Sequence, residues 1–337
     1  MVDYSSIVLS SKVQLARNLN GFIFPSMFEE IDGIKIINKI SDSLIDDLGP
    51  TYRFYKIGNL SEIDKNVMKE RDIISEKLIN AENFGGAIVS DDEKVSIMIN
   101  EEDHIKEQCE EFGLNLISAY DRLNEIDNLI LTRFDIAYDD SLGFLTSCVD
   151  QVGTGLSASV KLFLPALARN EKISEIRNFC LDQGFDLSPV SFDDFKNCLY
   201  HYELVSKQSI GRKETDIIFK LTDIAIKICK LEIESRNELL NIENKAGIID
   251  SVYRAWGILT NCYKITTNEA QNMLAELKMG VPLDIVKFKD NKLLDYLMLK
   301  VLPYSLSKTI KNGEPVYNLD EYRAKFLSDI LKTKRIK

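Results

Sequence analysis

The apolar positions divide the chain into three zones. Ile34, Ile36, Ile37, Ile40, Leu44 and Leu48 recur at helical steps, and residues 1–80 as a whole read as mostly helical with polar loops. The pattern changes at Phe84. Gly85-Gly86 precedes Ala87-Ile88-Val89, Asp91-Asp92-Glu93-Lys94 turns the chain, and Val95-Ser96-Ile97-Met98-Ile99 alternates, which together predict a β-hairpin. A Leu- and Ile-rich helix is predicted over 114–131 and a strand over 144–147. The turn Gly153-Thr154-Gly155 then leads into a predicted helix over 158–167, and strands follow at 185–190 and 200–207. Beyond Gly211 the character is helical. Ile217, Leu221, Ile224, Ile228 and Leu231 form one apolar stripe along a long helix, with Thr215 or Asp216 as its N-cap. More helices run to about Leu299, 302–318 is looser, and an amphipathic helix starts at Leu319 and ends in a basic tail at 332–337. The predicted fold class is α+β. A domain with an antiparallel sheet flanked by helices spans 1–215, and a helical C-terminal region spans 216–337, with no internal repeat and no low-complexity linker.

Composition narrows the function. At 337 residues and 45% apolar content the chain is long enough for two domains with a sizeable core. No apolar run reaches the ~18 residues a membrane span needs. The N-terminus shows no signal-peptide pattern, so a cytoplasmic location is expected. A net charge of −11 argues against general nucleic-acid binding. Cys109, Cys148, Cys180, Cys198, Cys229 and Cys262 are scattered, and the histidines are His104 and His201, so no metal site is expected. Cys229 falls on an apolar helical face and reads as core. Cys148 ends a predicted strand beside the Gly-rich turn, where it reads either as a buried thiol or as part of a site.

The strongest candidate chemistry is Asn100-Glu101-Glu102-Asp103-His104, directly after the alternating strand. Three consecutive acids repel one another unless something positive sits among them. A carboxylate there can grip a guanidinium bidentately or act as its general base. A solvated acidic turn is the plainer alternative.

Two further segments accompany it: Leu142-Gly-Phe-Leu-Thr-Ser-Cys148 with Val152-Gly-Thr-Gly-Leu156, and Val8-Leu-Ser-Ser-Lys-Val-Gln-Leu-Ala-Arg-Asn18. In this order and spacing the three resemble the phosphagen (ATP:guanido) kinase family, most of all its McsB-type protein arginine kinases. The resemblance runs from about Ile7 to about Ile285 and includes Leu164-Pro-Ala-Leu167 and Tyr253-Arg-Ala-Trp-Gly-Ile-Leu259. It implies a guanidino-kinase domain followed by a helical region that mediates dimerisation and partner contacts.

The resemblance also implies roles. The family's carboxylate clamp maps onto Glu102, with Glu101 and Asp103 beside it. A second carboxylate maps onto Asp193 in Ser191-Phe-Asp-Asp194, and Cys148 matches the family's reactive cysteine. The family grips its nucleotide with five arginines. Here those positions are Lys12, Gln14, Lys106, Ser157 and Ser188, while Arg17 of the wider pattern is present. Val149-Asp150-Gln151 replaces the usual Pro-Thr-Asn after the cysteine. Near the C-terminus Asp320 and Arg323 match part of a phosphoarginine-docking motif, with Leu319 where a basic residue is expected.

A pseudokinase that binds partners is therefore the expected function, with no cofactor bound tightly. An active protein arginine kinase using MgATP through Lys12, Arg17 and Lys106 is the alternative, and a purely structural subunit is a third reading. The resemblance implies protein partners (a McsA-like activator, a Clp-type ATPase or an arginine-bearing protein) and a homodimer or heterodimer, with no nucleic acid and no membrane.

Overall fold

The computed structural model describes residues 4–190, 199–207, 209–240, 242–290, 292–310 and 318–334. In chain order the elements are β1 (Val8–Arg17), α1 (Glu30–Leu48), β2 (Tyr52–Lys56), α2 (Glu62–Glu70), α3 (Glu76–Asn80), β3 (Gly86–Ser90), β4 (Val95–Ile99), β5 (Ile105–Phe112), α4 (Leu116–Arg133), β6 (Tyr138–Asp139), β7 (Gly143–Phe144) and β8 (Leu156–Phe163). They continue with α5 (Pro165–Arg169), α6 (Ile173–Asp182), β9 (Phe185–Pro189), β10 (His201–Ser206), α7 (Glu214–Leu239), α8 (Ile242–Asn261), α9 (Thr267–Met279), α10 (Leu293–Lys300), α11 (Pro303–Ser307) and α12 (Leu319–Lys334).

Eight strands form one sheet in the order β2-β3-β4-β5-β1-β8-β10-β9. The β2–β5 run and both pairings of β1 are antiparallel. The chain divides into two compact units. One comprises 1–162, 177–187 and 203–227; the other comprises 163–176, 188–202 and 228–337. In the first unit α4 packs on β1 and β5, where Val13, Leu15, Ile105 and Cys109 meet Ala119, Leu123, Ile126 and Ile130 in the core. In the second, α8, α9, α10 and α12 pack around Val252, Leu274, Leu277 and Leu327.

The predicted hairpin is present as β3–β4, and the predicted strands at 185–190 and 200–207 are present as β9 and β10. The helices read around Ile34–Leu48, 114–131 and Leu319 are α1, α4 and α12.

Several expectations are corrected. The segment read as helix over 158–167 is mostly strand. Leu156, Ala158, Val160 and Leu162 of β8 are buried, while Ser157, Ser159 and Lys161 lie on the other face. Pairing with β1 overrides the helix propensity of the Ala-containing run, and helix starts only at Pro165. Residues 1–80 also hold two strands, β1 and β2. As a central strand with both faces partly covered, β1 shows blurred alternation, which hid it. The strand expected over 144–147 is confined to Gly143–Phe144. Helix α7 begins at Glu214, so Thr215 and Asp216 lie inside its first turn. Its apolar stripe ends at Ile228, and one turn on it is Glu232, not Leu231, that is fully buried.

Candidate active site: an acidic turn beside a polar sheet face

The acidic turn closes the β4–β5 hairpin. Asn100 takes a left-handed backbone (φ 59), which asparagine tolerates better than most side chains. Its amide donates to Gly33 O at 2.9 Å and Phe84 O at 2.8 Å, and its N–H bonds to His104 O at 3.0 Å. His104 is a structural residue. Its Nδ1 accepts from Leu19 N at 3.1 Å and its Nε2 faces Ile23 O at 3.0 Å, which assigns the neutral tautomer with the proton on Nε2. Phe22, Phe24 and Phe28 surround the ring, and burial lowers its pKa to about 4.

The three acids have different surroundings. Glu101 is buried and accepts from Ser75 Oγ at 2.6 Å, Glu102 N at 2.7 Å and Lys106 Nζ at 3.2 Å. Burial would raise its pKa, but Lys106, Ser75 and the Glu102 N–H outweigh that and hold it below the usual range. Asp103 accepts from Asn18 Nδ2 at 2.5 Å and Ser147 N at 2.7 Å through one oxygen, while the other is buried without a partner. Burial pushes its pKa up despite those donors. Glu102 is the accessible acid, and its Oε1 lies 2.8 Å from Lys77 Nζ. Ser147 also donates its hydroxyl to Glu102 O at 2.8 Å, which staples the Cys148 segment onto the turn. The half-buried Cys148 then opens a short 3-10 turn at Val149–Gln151. Glu101, Glu102 and Asp103 thus lie in one turn, with the Cys148 segment held against it.

The polar face of β5, β1 and β8 lies beside this turn. Gln14 stands opposite Gln108 on one side and Ser157 on the other; Lys12 stands opposite Glu110 and Ser159; Lys106 stands opposite Ala16. So Lys12, Gln14, Lys106 and Ser157 share one face. Gln14 Nε2 donates to Gln108 Oε1 at 3.1 Å. Lys12 Nζ lies 2.7 Å from Asp72 Oδ2, and Lys161 Nζ reaches the same oxygen at 2.6 Å and Glu110 at 3.2 Å. Ser159 Oγ donates to Glu203 at 2.7 Å.

Arg17 points away from this face and is not available to it. It is fully buried, with Nε and Nη2 on the two oxygens of Asp127 at 2.9 and 2.7 Å. Nη1 donates to Ala16 O and Thr154 O, and Phe144 covers the guanidinium at 3.8 Å. Gly155 (φ 73) makes room for it, since a Cβ there would collide with the guanidinium and come 2.6 Å from Ala16 O. Arg17 therefore pins α4 to β1 and the Gly-Thr-Gly turn, and the expectation that it contacts phosphate is corrected. Ser188, half-buried on β9, belongs to the other unit, and Asp193 lies outside the described residues. In that unit Arg323 is buried, donating to Val301 O at 2.9 Å and Ile265 O at 2.8 Å and pairing with Asp320. Arg323 therefore ties α12 to its neighbours.

Sequence reasoning missed Asp72, Ser75, Lys77 and Ser147. Ser75 carried a readable signal as an N-cap, accepting from Leu78 N at 3.1 Å. The others act through pairings across long chain separations and leave no local pattern.

Two family descriptions match the chain. "ATP:guanido phosphotransferase, C-terminal catalytic domain" covers residues 34–235, and "Protein-arginine kinase McsB C-terminal domain" covers 245–337. The chain belongs to the ATP:guanido phosphotransferase family, in its McsB-type protein-arginine kinase branch. A protein-arginine kinase of Clostridium tetani (strain Massachusetts / E88) is 33% identical over 307 residues, covering 91% of this chain and 90% of that one. One from Caldanaerobacter subterraneus subsp. tengcongensis is 32% identical over 338 residues, covering 99% and 100%. Among solved structures, the substrate-free duplicated taurocyamine kinase of Schistosoma mansoni superposes with a TM-score of 0.63 at 23% identity, over 79% of this chain and 39% of that one. A lombricine kinase superposes at 0.60 and 19% identity, over 69% and 67%. These two likenesses support the guanidino-kinase fold. Among the described residues no helix is long and apolar enough to cross a membrane, and no group of acids, histidines and cysteines could hold a metal ion.

Proposed function

We propose that this McsB-type homologue binds guanidinium groups of arginine-bearing proteins at Glu102 and acts through that binding, with little or no phosphoryl transfer of its own. The observation that carries this reading is the charge balance of the sheet face. Its lysines are already paired, Lys12 and Lys161 with Asp72 and Lys106 with Glu101, while Gln14 and Ser157 are neutral. With Glu110 and Glu203 also present, acids on this face outnumber the bases. A triphosphate needs unpaired donors and positive charge, so these residues do not fit one. The Glu101–Asp103 turn, by contrast, keeps an accessible carboxylate.

Magnitudes favour the same reading. A charge-assisted hydrogen bond contributes about 1.5–3 kcal/mol. At about 2 kcal/mol each, the neutral Gln14 and Ser157 together forgo about 4 kcal/mol, on the order of three powers of ten in rate. Such contributions are not additive, so the figure sets a scale. The lysines keep charge but lack the planar fork of arginine.

The second reading, an active ATP-dependent protein arginine kinase, draws on the full-length similarity to proteins named protein-arginine kinase. Titration calorimetry separates the two. MgATP is expected to bind no more tightly than about 1 mM, roughly −4 kcal/mol. An arginine-bearing peptide is expected to bind the wild type and not Glu102→Ala. A micromolar ATP affinity, or phosphoarginine formed on a generic protein substrate, overturns the proposal in favour of the active kinase.

A further inference from the structure

The Glu102 carboxylate already holds a cation. Lys77 Nζ sits 2.8 Å from Glu102 Oε1, and both backbones are anchored. Lys77 is the second residue of α3. The next residue, Leu78, is fully buried in a cluster with Ile57, Ile73, Ile74 and Met98. The N-cap Ser75 binds α3 through Leu78 N and the acidic turn through Glu101 Oε1. On the other side, Glu102 is held by Ser147 Oγ on its carbonyl and by its own N–H on Glu101 Oε2. The ammonium is therefore delivered to this carboxylate by the fold. Its pKa is raised, first by the hydrogen bond to Glu102 and further by the charges of Glu102 and Glu101, against the effect of burial.

We propose that Lys77 is a built-in competitor for the guanidinium subsite: an incoming arginine engages Glu102 only by displacing the Lys77 ammonium. The inference rests on the guanidinium reading of the acidic turn given above. The competitor is weak, because Lys77 is 60% and Glu102 31% exposed, and solvated ion pairs contribute little. That weakness gives the contact a selective role. A guanidinium brings two parallel donors to the carboxylate and gains over the ammonium it replaces. A ligand lysine is chemically the same as Lys77 and gains nothing. The subsite thereby favours arginine over lysine.

Titration calorimetry with an arginine-bearing peptide, and with the same peptide carrying lysine instead, tests this on the full chain. Lys77→Gln is expected to tighten the arginine peptide by about two- to fivefold, the span of a solvated ion pair. Lys77→Arg, which keeps the charge and adds the fork, is expected to weaken it. Both effects should vanish in a Glu102→Gln background, and the lysine peptide should bind the wild type no better than Glu102→Gln. Unchanged or weaker binding in Lys77→Gln, with Glu102→Gln still abolishing it, overturns the competitor and leaves the guanidinium reading standing. Binding insensitive to Glu102→Gln, or absent from every variant, overturns both.

Discussion

Two acids, Glu107 and Asp72, and one arginine, Arg17, carry most of the testable physics at the scale of single residues. Glu107 is wholly buried on β5, with the Asp127 carboxylate beside it. Burial first, then the charge of Asp127, raises its pKa well above the ordinary value, against the pull of Arg17. A folded pKa above the unfolded one means the native state binds the proton more tightly. Stability is then lost as pH rises from about 4.3 through the folded value. Glu107→Gln is therefore expected to gain stability relative to wild type between pH 5 and pH 8 in denaturant melts; a pH-independent difference would refute this. Asp72 has the opposite sign. Burial raises it, but Lys12 and Lys161 prevail and hold it well below the usual range. Its contribution is present above about 3.9 and is lost as pH falls toward the folded value, so Asp72→Asn should flatten the acid limb of the stability profile. Arg17 is the third case. Removing one partner of a buried pair leaves the other charge stranded, so Arg17→Met should destabilise by about 3–5 kcal/mol in equilibrium unfolding. A loss below about 1 kcal/mol would show that the Asp127 pair behaves as a surface one.

Elements are positioned by side chains that reach from one to the next. In the helical unit Glu232 of α7 accepts from Ala166 N at 3.2 Å and Leu167 N at 3.0 Å, capping α5 from outside. Arg236, one turn on, lies 3.0 Å from the same carboxylate. A helix start leaves N–H groups unpaired, and burying them without an acceptor is costly. Glu232→Ala should therefore destabilise by about 2–4 kcal/mol from the two stranded donors, and Glu232→Gln by less, since its carbonyl keeps one acceptor. Equal losses in the two variants would mean that packing, not capping, is what Glu232 supplies. Helix α3 is placed in a comparable way by Ser75 and Leu78, and that placement sets what Glu102 meets.

At the scale of the whole molecule the question is whether the sheet face can regain a nucleotide. Gln14→Arg, Ser157→Arg, Lys12→Arg and Lys106→Arg supply donors, but Asp72 and Glu101 remain to pair with two of them. Adding Asp72→Asn to the four-fold variant is expected to improve ATP affinity by a further tenfold, about 1.4 kcal/mol. Phosphoryl transfer should recover less, because in-line alignment tolerates errors of only about 1 Å. Calorimetry and a phosphoarginine assay read the two separately. No gain in affinity would mean that the pocket itself, and not its charge, excludes ATP.

The sequence alone determined the α+β class, the β3–β4 hairpin that leads into the acidic turn, and the family motifs around Glu102 and Cys148. These are local: alternation, turn residues and short contiguous runs report on neighbours a few positions away. Tertiary structure decided the rest. Strands β1 and β8 are recognisable only through their pairing in the sheet, β1 between β5 and β8. Arg17 reads as a spare phosphate ligand until Asp127, on α4, engages it. Lys12 and Lys106 read as free charges until Asp72 and Glu101 neutralise them, and Lys77 carries no signal until α3 sets it on Glu102. The physical reason is common to all of these. A side chain's charge, burial and availability depend on what the fold brings against it, and apart from the Lys106–Glu101 pair those partners lie tens of residues away along the chain.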